Sequence, residues 1–413
     1  MSDFDPVAAT EALLATVPAD VAARSDAYFE GGYWLLLWGT LVSLASAWAL
    51  LHFGVAARLR DFAERASPRP WGAVLLFAPP FVALLTLLEL PWEAYADFAR
   101  EHQYGLSNQS LGEWLGERAI ELAVSVIQLT LALSLVYALL RRAGRAWWLG
   151  AGALSIGVLA FGLWIGPLYV EPLFNDYTPL PAGSLRDDLL ALARASGVPS
   201  DDVLVYDESR QSTRISANVS GLLGTARIAL NDNLLERCTP AEIKAVLGHE
   251  MGHYAMGHAS LLLLQMGLLI GIGFWFSDRC FAALQRRYGP RWRVRGIADP
   301  AGLPILYAAL ALFLFVTTPL RTTMFRVNEA RADLFGLNAV REPDAQASVL
   351  LKLVDYRKLA PGPLEEALLF DHPSARSRIL MAMRFKAEQL RERSREAPPS
   401  PAPASSAGRG DAP

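Results

Sequence analysis

Charge is scarce in this chain. Only 19% of its 413 residues are Asp, Glu, Lys or Arg, and the formal net charge is −3. Lysine is confined to Lys244, Lys352, Lys358 and Lys386. A nucleic-acid partner, which needs a basic face, is excluded on that balance. Cysteine is scarcer still. Cys238 and Cys280 flank opposite ends of a predicted membrane helix, so no disulfide is expected between them. A cleavable signal peptide is also missing. The first 32 residues are acidic and polar, with Arg24 their one cation, so the first apolar segment reads as a signal anchor. No internal repeat stands out. What is abundant is apolar: 53% of residues are hydrophobic, too many for an ordinary soluble protein of this length.

The excess lies in six stretches: Tyr33–Val55, Trp71–Trp92, Ile120–Leu140, Ala146–Val170, Ala259–Phe276 and Leu303–Leu320. Each approaches or exceeds the roughly 20 residues that cross a bilayer as a helix. Trp34, Trp71, Trp92, Trp147 and Trp148 sit at their ends, where aromatic rings favour the membrane interface. The chain therefore divides into an acidic N-terminal segment (1–32), membrane helices one to four (33–170), a polar insert (171–258), membrane helices five and six (259–320), C-terminal helices (321–390) and a disordered Pro/Ala/Ser-rich tail (391–413). Short loops at Arg58–Arg69, Arg141–Arg145 and Arg279–Arg295 are arginine-rich. The positive-inside rule places all three in the cytoplasm, which puts the insert and both ends outside.

The insert ends in His249-Glu250-Met251-Gly252-His253. The segment from Thr239 to His258 reads as one helix, with Thr239 as N-cap, Pro240 in the first turn and Glu242 closing a capping box. On a helix, residues four apart share a face, so the two imidazoles can grip one ion with Glu250 beside it. This is the zinc pattern in which the glutamate is general base toward a metal-bound water. A solvated helix with two surface histidines is the plain alternative; Val246, Leu247 and Gly252 suit a closely packed surface instead.

Catalytic zinc usually takes a third protein ligand and keeps one position open. His258 is one residue short of the spacing in the longer three-histidine motif. Glu329, in Asn328-Glu329-Ala330-Arg331-Ala332-Asp333, is the better candidate. If that run is helical, Asp333 shares its face and can accept a hydrogen bond from a ligand histidine. The competing reading is a surface helix in which Arg326 and Arg331 pair with Glu329 and Asp333.

Within the insert, Leu185–Ser196 reads as an amphipathic helix. Asp202–Tyr206, Ile215–Ser220 and Ala226–Leu230 read as short strands. A strand edge beside the zinc helix can hold an extended peptide, and Asn218 can reach that peptide. At His372-Pro373-Ser374 the residues favour a helix start, with Asp371 as cap and Pro373 in the first turn. An oxyanion-stabilising histidine assisted by Arg378 is the other reading.

Four blocks together resemble the integral-membrane CAAX prenyl endopeptidases, a family of gluzincin-type zinc metalloproteases. They are His249-Glu250-Met251-Gly252-His253 with His258, Glu329 to Asp333, His372-Pro373-Ser374 with Arg378, and Ser216-Ala217-Asn218 with Gly221. Glu101 to Ser110 and Pro172 to Leu180 add to the likeness, which spans about residues 75–385. The resemblance implies a mainly α, integral-membrane fold: a barrel of membrane helices around a chamber, with a metalloprotease domain carrying a small β-sheet. It implies one Zn2+ per chain on His249, His253 and Glu329, and Glu250 as base. It makes His372 and Asn218 substrate-positioning or transition-state groups and Asp333 a support for a ligand. The family has seven membrane helices where six are counted here; the missing one would fall between Val55 and Pro70, read as a short charged link. Its usual aromatic after the strand asparagine is replaced by Val219 and Ser220. The likeness suggests a cytosolic catalytic face, against the loop charges.

The expected activity is peptide-bond hydrolysis on membrane-associated substrates, C-terminally prenylated ones among them, by a protein of the bacterial inner membrane. A broad-specificity quality-control protease is the alternative. A metal transporter fits less well, because its ligands should lie at mid-membrane, whereas the pentapeptide precedes its membrane segment.

Overall fold

The computed structural model describes residues 4–221 and 226–396. The N-terminal segment is not merely polar. Asp5 caps α1 (Pro6–Leu14) through the Val7 and Ala8 amides, and α1 lies on the last helix, where Glu11 pairs with Arg376. The first membrane helix, α2 (Ala19–His52), starts 14 residues before the apolar run. Residues 55–66, read as a link, are helix α3 (Val55–Ala66). Its 12 residues are too few to cross a bilayer, so α3 is not the missing span. α4 (Pro70–Glu93) continues through a π-helical turn into α5 (Arg100–Gln103). α6 (Leu111–Arg142) and α7 (Trp147–Ile165) follow.

The insert carries α8 (Ser184–Ala195), α9 (Asp232–Arg237), α10 (Pro240–Ala255) and four strands: β1 (Tyr177–Pro179), β2 (Val203–Tyr206), β3 (Ala217–Ser220) and β4 (Arg227–Asn231). β1 escapes sequence reading because three residues carry no alternation. The sheet order is β1-β2-β4-β3, with β2 and β4 parallel and both outer pairs antiparallel. β3 is thus an edge strand, and it packs beside α10. Ile228, Leu230, Leu234, Ile243 and Leu247 form the insert's dry core.

α10 stops at Ala255 instead of running to His258, because Gly257 takes a left-handed conformation (φ +65°) that glycine reaches without strain. α11 (His258–Trp292) then enters the membrane. α12 (Leu303–Val316) and α13 (Thr318–Val340) meet at a 55° bend, and only together are they long and apolar enough for a sixth crossing. α14 (Pro343–Lys352), α15 (Pro363–Leu369) and α16 (Ala375–Glu396) complete the chain. Residues 391–396, expected in the tail, belong to α16, which stays helical to Glu396; the rest of that segment, 397–413, lies outside the described residues. Among the described residues, five helices are long and apolar enough to cross a membrane, six with the bent pair.

Lipid tails cannot drive helices together as water does, so close backbone approach matters. A β-carbon on Gly152 of α7 would stand 3.0 Å from the Gly271 Cα of α11, and one on Gly267 would overlap Ile156. The three arginine-rich segments gather at one end of the bundle, although two of them, expected as loops, are largely helical in α3 and at the end of α11. Arg60 pairs with Asp299 at 2.6 Å and Arg293 with Asp61, while Arg141 reaches the Pro70 carbonyl at 3.0 Å. At the other end, residues 105–108 dock on the insert. Asn108 N bonds to the Gln211 carbonyl at 3.0 Å, and Ser107 and Ser212 form an isolated β-bridge.

The capping box predicted for α10 is present and does more than cap. Glu242 accepts from Thr239 N at 2.7 Å, and also from Lys352 Nζ and Ser348 Oγ on α14, each at 2.7 Å. Burial works against the charged carboxylate, but these donors, Lys352 foremost, outweigh it and hold Glu242 down at about 2. A depressed carboxyl stabilises the fold above its unfolded value near 4.5 and loses that contribution as pH falls toward 2. The melting temperature of the wild type should therefore exceed that of Glu242→Gln at pH 7, with the gap shrinking below pH about 5. A gap independent of pH would show that the charge is immaterial.

Candidate active site

Two helices make the site because their backbones nearly touch. α10 presents Gly248 and Gly252 to Ala332 and Gly336 of α13. A β-carbon on Gly336 would sit 2.9 Å from His249 N, and one on Gly252 would sit 3.1 Å from the Ala332 Cα. These contacts are with backbone, so no side-chain rotation relieves them. Gly252→Leu should push α13 outward and cost about 1–3 kcal/mol, with metal content falling more steeply than stability. Elemental analysis beside a thermal melt checks this; a variant with full metal content would show that the spacing is not critical.

The close crossing brings three ligand atoms together. His249 Nε2 lies 3.1 Å from His253 Nε2 and 3.1 Å from Glu329 Oε2, and His253 Nε2 lies 3.4 Å from Glu329 Oε1. They are a group that could hold a metal ion. Atoms bound about 2 Å from one ion stand at such spacings. The buried Glu329 Oε2 also has no hydrogen-bond donor of its own. The donor set therefore fits a small divalent cation.

The surroundings orient this set. Asp333, fully buried, accepts from His249 Nδ1 at 2.9 Å, which turns the Nε2 lone pair toward the centre. Arg378 grips Asp333 with two bonds, Nε to Oδ2 at 2.7 Å and Nη2 to Oδ1 at 2.6 Å, and Gln346 adds a third at 3.3 Å. Burial disfavours a charged His249 ring, but Asp333 and then Glu329 outweigh it and push the ring up to about 10. Cation binding is therefore coupled to release of that proton. His258 does not join the ligands; its Nδ1 lies 3.0 Å from His253 Nδ1, where it steadies the second ring. The alternating-charge reading of α13 fails at Arg326, which donates to the carbonyls of Glu366, Ala367 and Phe370 at the end of α15.

Glu250 lines the adjoining cleft with Ile215, Ala217, Tyr356 and His372. Burial raises its carboxyl above the usual range, against the lowering fields of His249 and His253. A base poised upward in this way is suited to work near neutrality. His372 Nε2 stands 3.2 Å from Glu329 Oε2, and its Nδ1 lies 2.8 Å from Asp371. α16 begins only at Ala375, so Asp371 holds the histidine rather than capping a helix. Burial, despite Asp371, lowers the His372 ring. Asn218 sits on β3 with a buried, unpaired Oδ1, and no hydrogen bond among the described residues joins it to the three-ligand cluster. Arg378 is committed to Asp333, so its reach to a substrate goes through that carboxylate. Sequence reading missed Asp371 as partner of His372, Gln346, and Arg357, whose Nη2 lies 3.5 Å from His372 Nε2. For Asp371 the signal was its place next to His372; Arg357 offered none.

Two cavities lead from His253 in among the membrane helices. An apolar one of about 690 Å³ is bounded by His253, His258, Val219, Leu263 and Phe325. Another of about 470 Å³ lies among the membrane helices and shares Leu159 and Ile270 with the first.

A metal-dependent peptidase built into a membrane is the class that these features define. The family model described as Peptidase family M48 matches residues 179–384. That described as CAAX prenyl protease N-terminal, five membrane helices, matches residues 7–176. Within the latter range four helices reach spanning length, and α3 does not. The chain is 28% identical over 332 residues to the uncharacterized metalloprotease YhfN of Bacillus subtilis, covering 80% of this chain and 78% of that one. It is 26% identical over 323 residues to CAAX prenyl protease 1 of Saccharomyces cerevisiae, covering 74% and 71%. The crystal structure of S. mikatae Ste24p shares the fold, with a TM-score of 0.71 over 89% of both chains at 20% identity. The chain belongs to the M48 family of CAAX-prenyl-protease-type metallopeptidases, and it is a multi-pass integral membrane protease.

Proposed function

We propose that the metal is zinc, held by His249, His253 and Glu329, and that the protein hydrolyses peptide bonds in membrane-associated proteins, including ones with a C-terminal isoprenoid. The observation that carries the reading is the convergence of two imidazole nitrogens and one carboxylate beside Glu250. Two nitrogens and an oxygen suit zinc better than calcium or magnesium, which prefer all-oxygen shells. When bound, zinc supplies a Lewis acid and lowers the pKa of a water ligand. Glu250 takes the proton of the attacking water and passes it to the leaving amine. His372, steadied by Asp371, faces the carbonyl oxygen as charge develops there. Asp333, braced by Arg378, keeps His249 in the ligating tautomer. The edge strand β3 receives the peptide in extended form, with Asn218 available to its backbone. The apolar cavity beside His253 suits a lipid chain or an apolar side chain. The arginine-rich composition and the Bacillus subtilis relative support a bacterial inner membrane.

Purified protein should be incubated in detergent with matched prenylated and unprenylated peptides, with and without a chelator, and read by mass spectrometry. Chelator-sensitive cleavage favouring the prenylated member is expected. Equal cleavage of both would leave a broad-specificity protease. Metal flux in liposomes without cleavage would end the reading.

A further inference from the structure

The cleft beside Glu250 holds three arginines, and two are already spent. Arg378 is locked to Asp333, and Arg214 donates to Glu101 Oε2 at 2.6 Å and Tyr28 Oη at 2.7 Å. Arg357 is the third. Among the described residues no carboxylate lies within salt-bridge distance of it; its recorded contact is His372 Nε2 at 3.5 Å. A guanidinium carries five N–H donors in a fork that matches a carboxylate. Most of that fork is unspent here, and removing a cation from bulk water without an anion is costly. The protein tolerates this cost at a position where the catalytic cleft meets a second cavity. Arg357 lines both, and the second cavity, about 470 Å³, is bounded by Tyr28, Tyr33, Arg100, Thr322 and Asp371. Asp371 stabilises the charge from a distance but forms no ion pair with it, being turned to His372 Nδ1 at 2.8 Å.

We infer that Arg357 binds a carboxylate of the substrate and makes this protease selective for peptides with an anionic group close to the cut bond. The inference rests on the peptidase reading above and adds a specificity determinant to it. Reach sets the position. His372 Nε2 stands 3.2 Å from the ligand Glu329 and 3.5 Å from Arg357, so the guanidinium lies within two hydrogen-bond lengths of the metal ligands. An extended peptide advances about 3.3–3.6 Å per residue. The recognised group therefore lies one or two residues from the cut peptide bond. Two sources supply the same chemistry there: a free C-terminal carboxylate or an Asp/Glu side chain.

The test uses the full-length, metal-loaded protein and peptides of one sequence: free acid or C-terminal amide, each with Glu, Gln or Lys next to the cut bond. The wild type should cleave one carboxylate-bearing member with kcat/KM roughly 10- to 100-fold above its neutral partner, mostly through KM, as a charge-assisted pair predicts. The favoured member identifies the source. In Arg357→Gln that ratio should fall toward one at unchanged metal content. In Arg357→Glu it should invert in favour of a lysine-bearing peptide, a gain that mere loosening of the cleft cannot produce. An unchanged ratio in Arg357→Gln, or no preference in the wild type, overturns the inference while leaving the peptidase reading intact. Failure of the wild type to cut any peptide overturns the reading on which it rests.

Discussion

Glu250→Gln should retain a full complement of metal and lose about 10²–10⁴-fold in kcat. The two halves of this result have separate causes. Glu250 contributes no atom to the His249–His253–Glu329 group, so the ligands are untouched. Gln is close in shape but cannot accept the proton of the attacking water, and positioned proton transfer is worth typically 10²–10⁴ in rate. The raised carboxyl of Glu250 sharpens the expectation, because a more basic group is the better proton acceptor. The check is metal analysis and peptide turnover on the same preparation. Wild-type turnover would remove Glu250 from the mechanism; lost metal would make it a structural residue.

Asp333→Ala should be the most damaging single change to stability. Asp333 is inaccessible to solvent and Arg378 nearly so, and breaking a buried pair from one side commonly costs about 3–5 kcal/mol, since the remaining charge is stranded. The same change releases His249 Nδ1, and lost ligand support typically costs 10–100-fold in metal affinity. The double variant Asp333→Ala/Arg378→Met separates the effects. Removing the stranded cation should recover much of the melting temperature, whereas metal affinity should stay low. A double variant with restored affinity would show that Asp333 does not orient the ring.

Much of this site was legible because its chemistry is local. The pentapeptide 249–253 and the capping box at Thr239 need only helical spacing. Glu329 and Asp333 could be paired in the same way, once a third ligand was demanded. The approach of α13 to α10 was not legible, because it depends on Gly248, Gly252, Ala332 and Gly336 facing one another across a long stretch of chain that includes α11 and α12; His249 and Asp333, which meet there, are 84 positions apart. Local capping chemistry at Asp371 pointed to a helix start that lies further on, at Ala375; the contact of His372 with Glu329 is a tertiary fact. Helix ends were misplaced for a related reason. Apolar runs mark where lipid touches a helix, whereas α2 and α11 continue beyond it as polar helix. The break at Gly257 was missed because only backbone conformation distinguishes it.

The order of the pieces along the chain has a consequence for biosynthesis. The paired histidines of α10 leave the ribosome before α11, yet Glu329 lies within α13, beyond the bend, and His372 comes later still. A nascent chain halted anywhere before residue 329 lacks the carboxylate that completes the donor set, and one halted before 372 lacks the histidine that stands beside it. The three-ligand group can therefore assemble only once α13 has been made and has folded back onto α10.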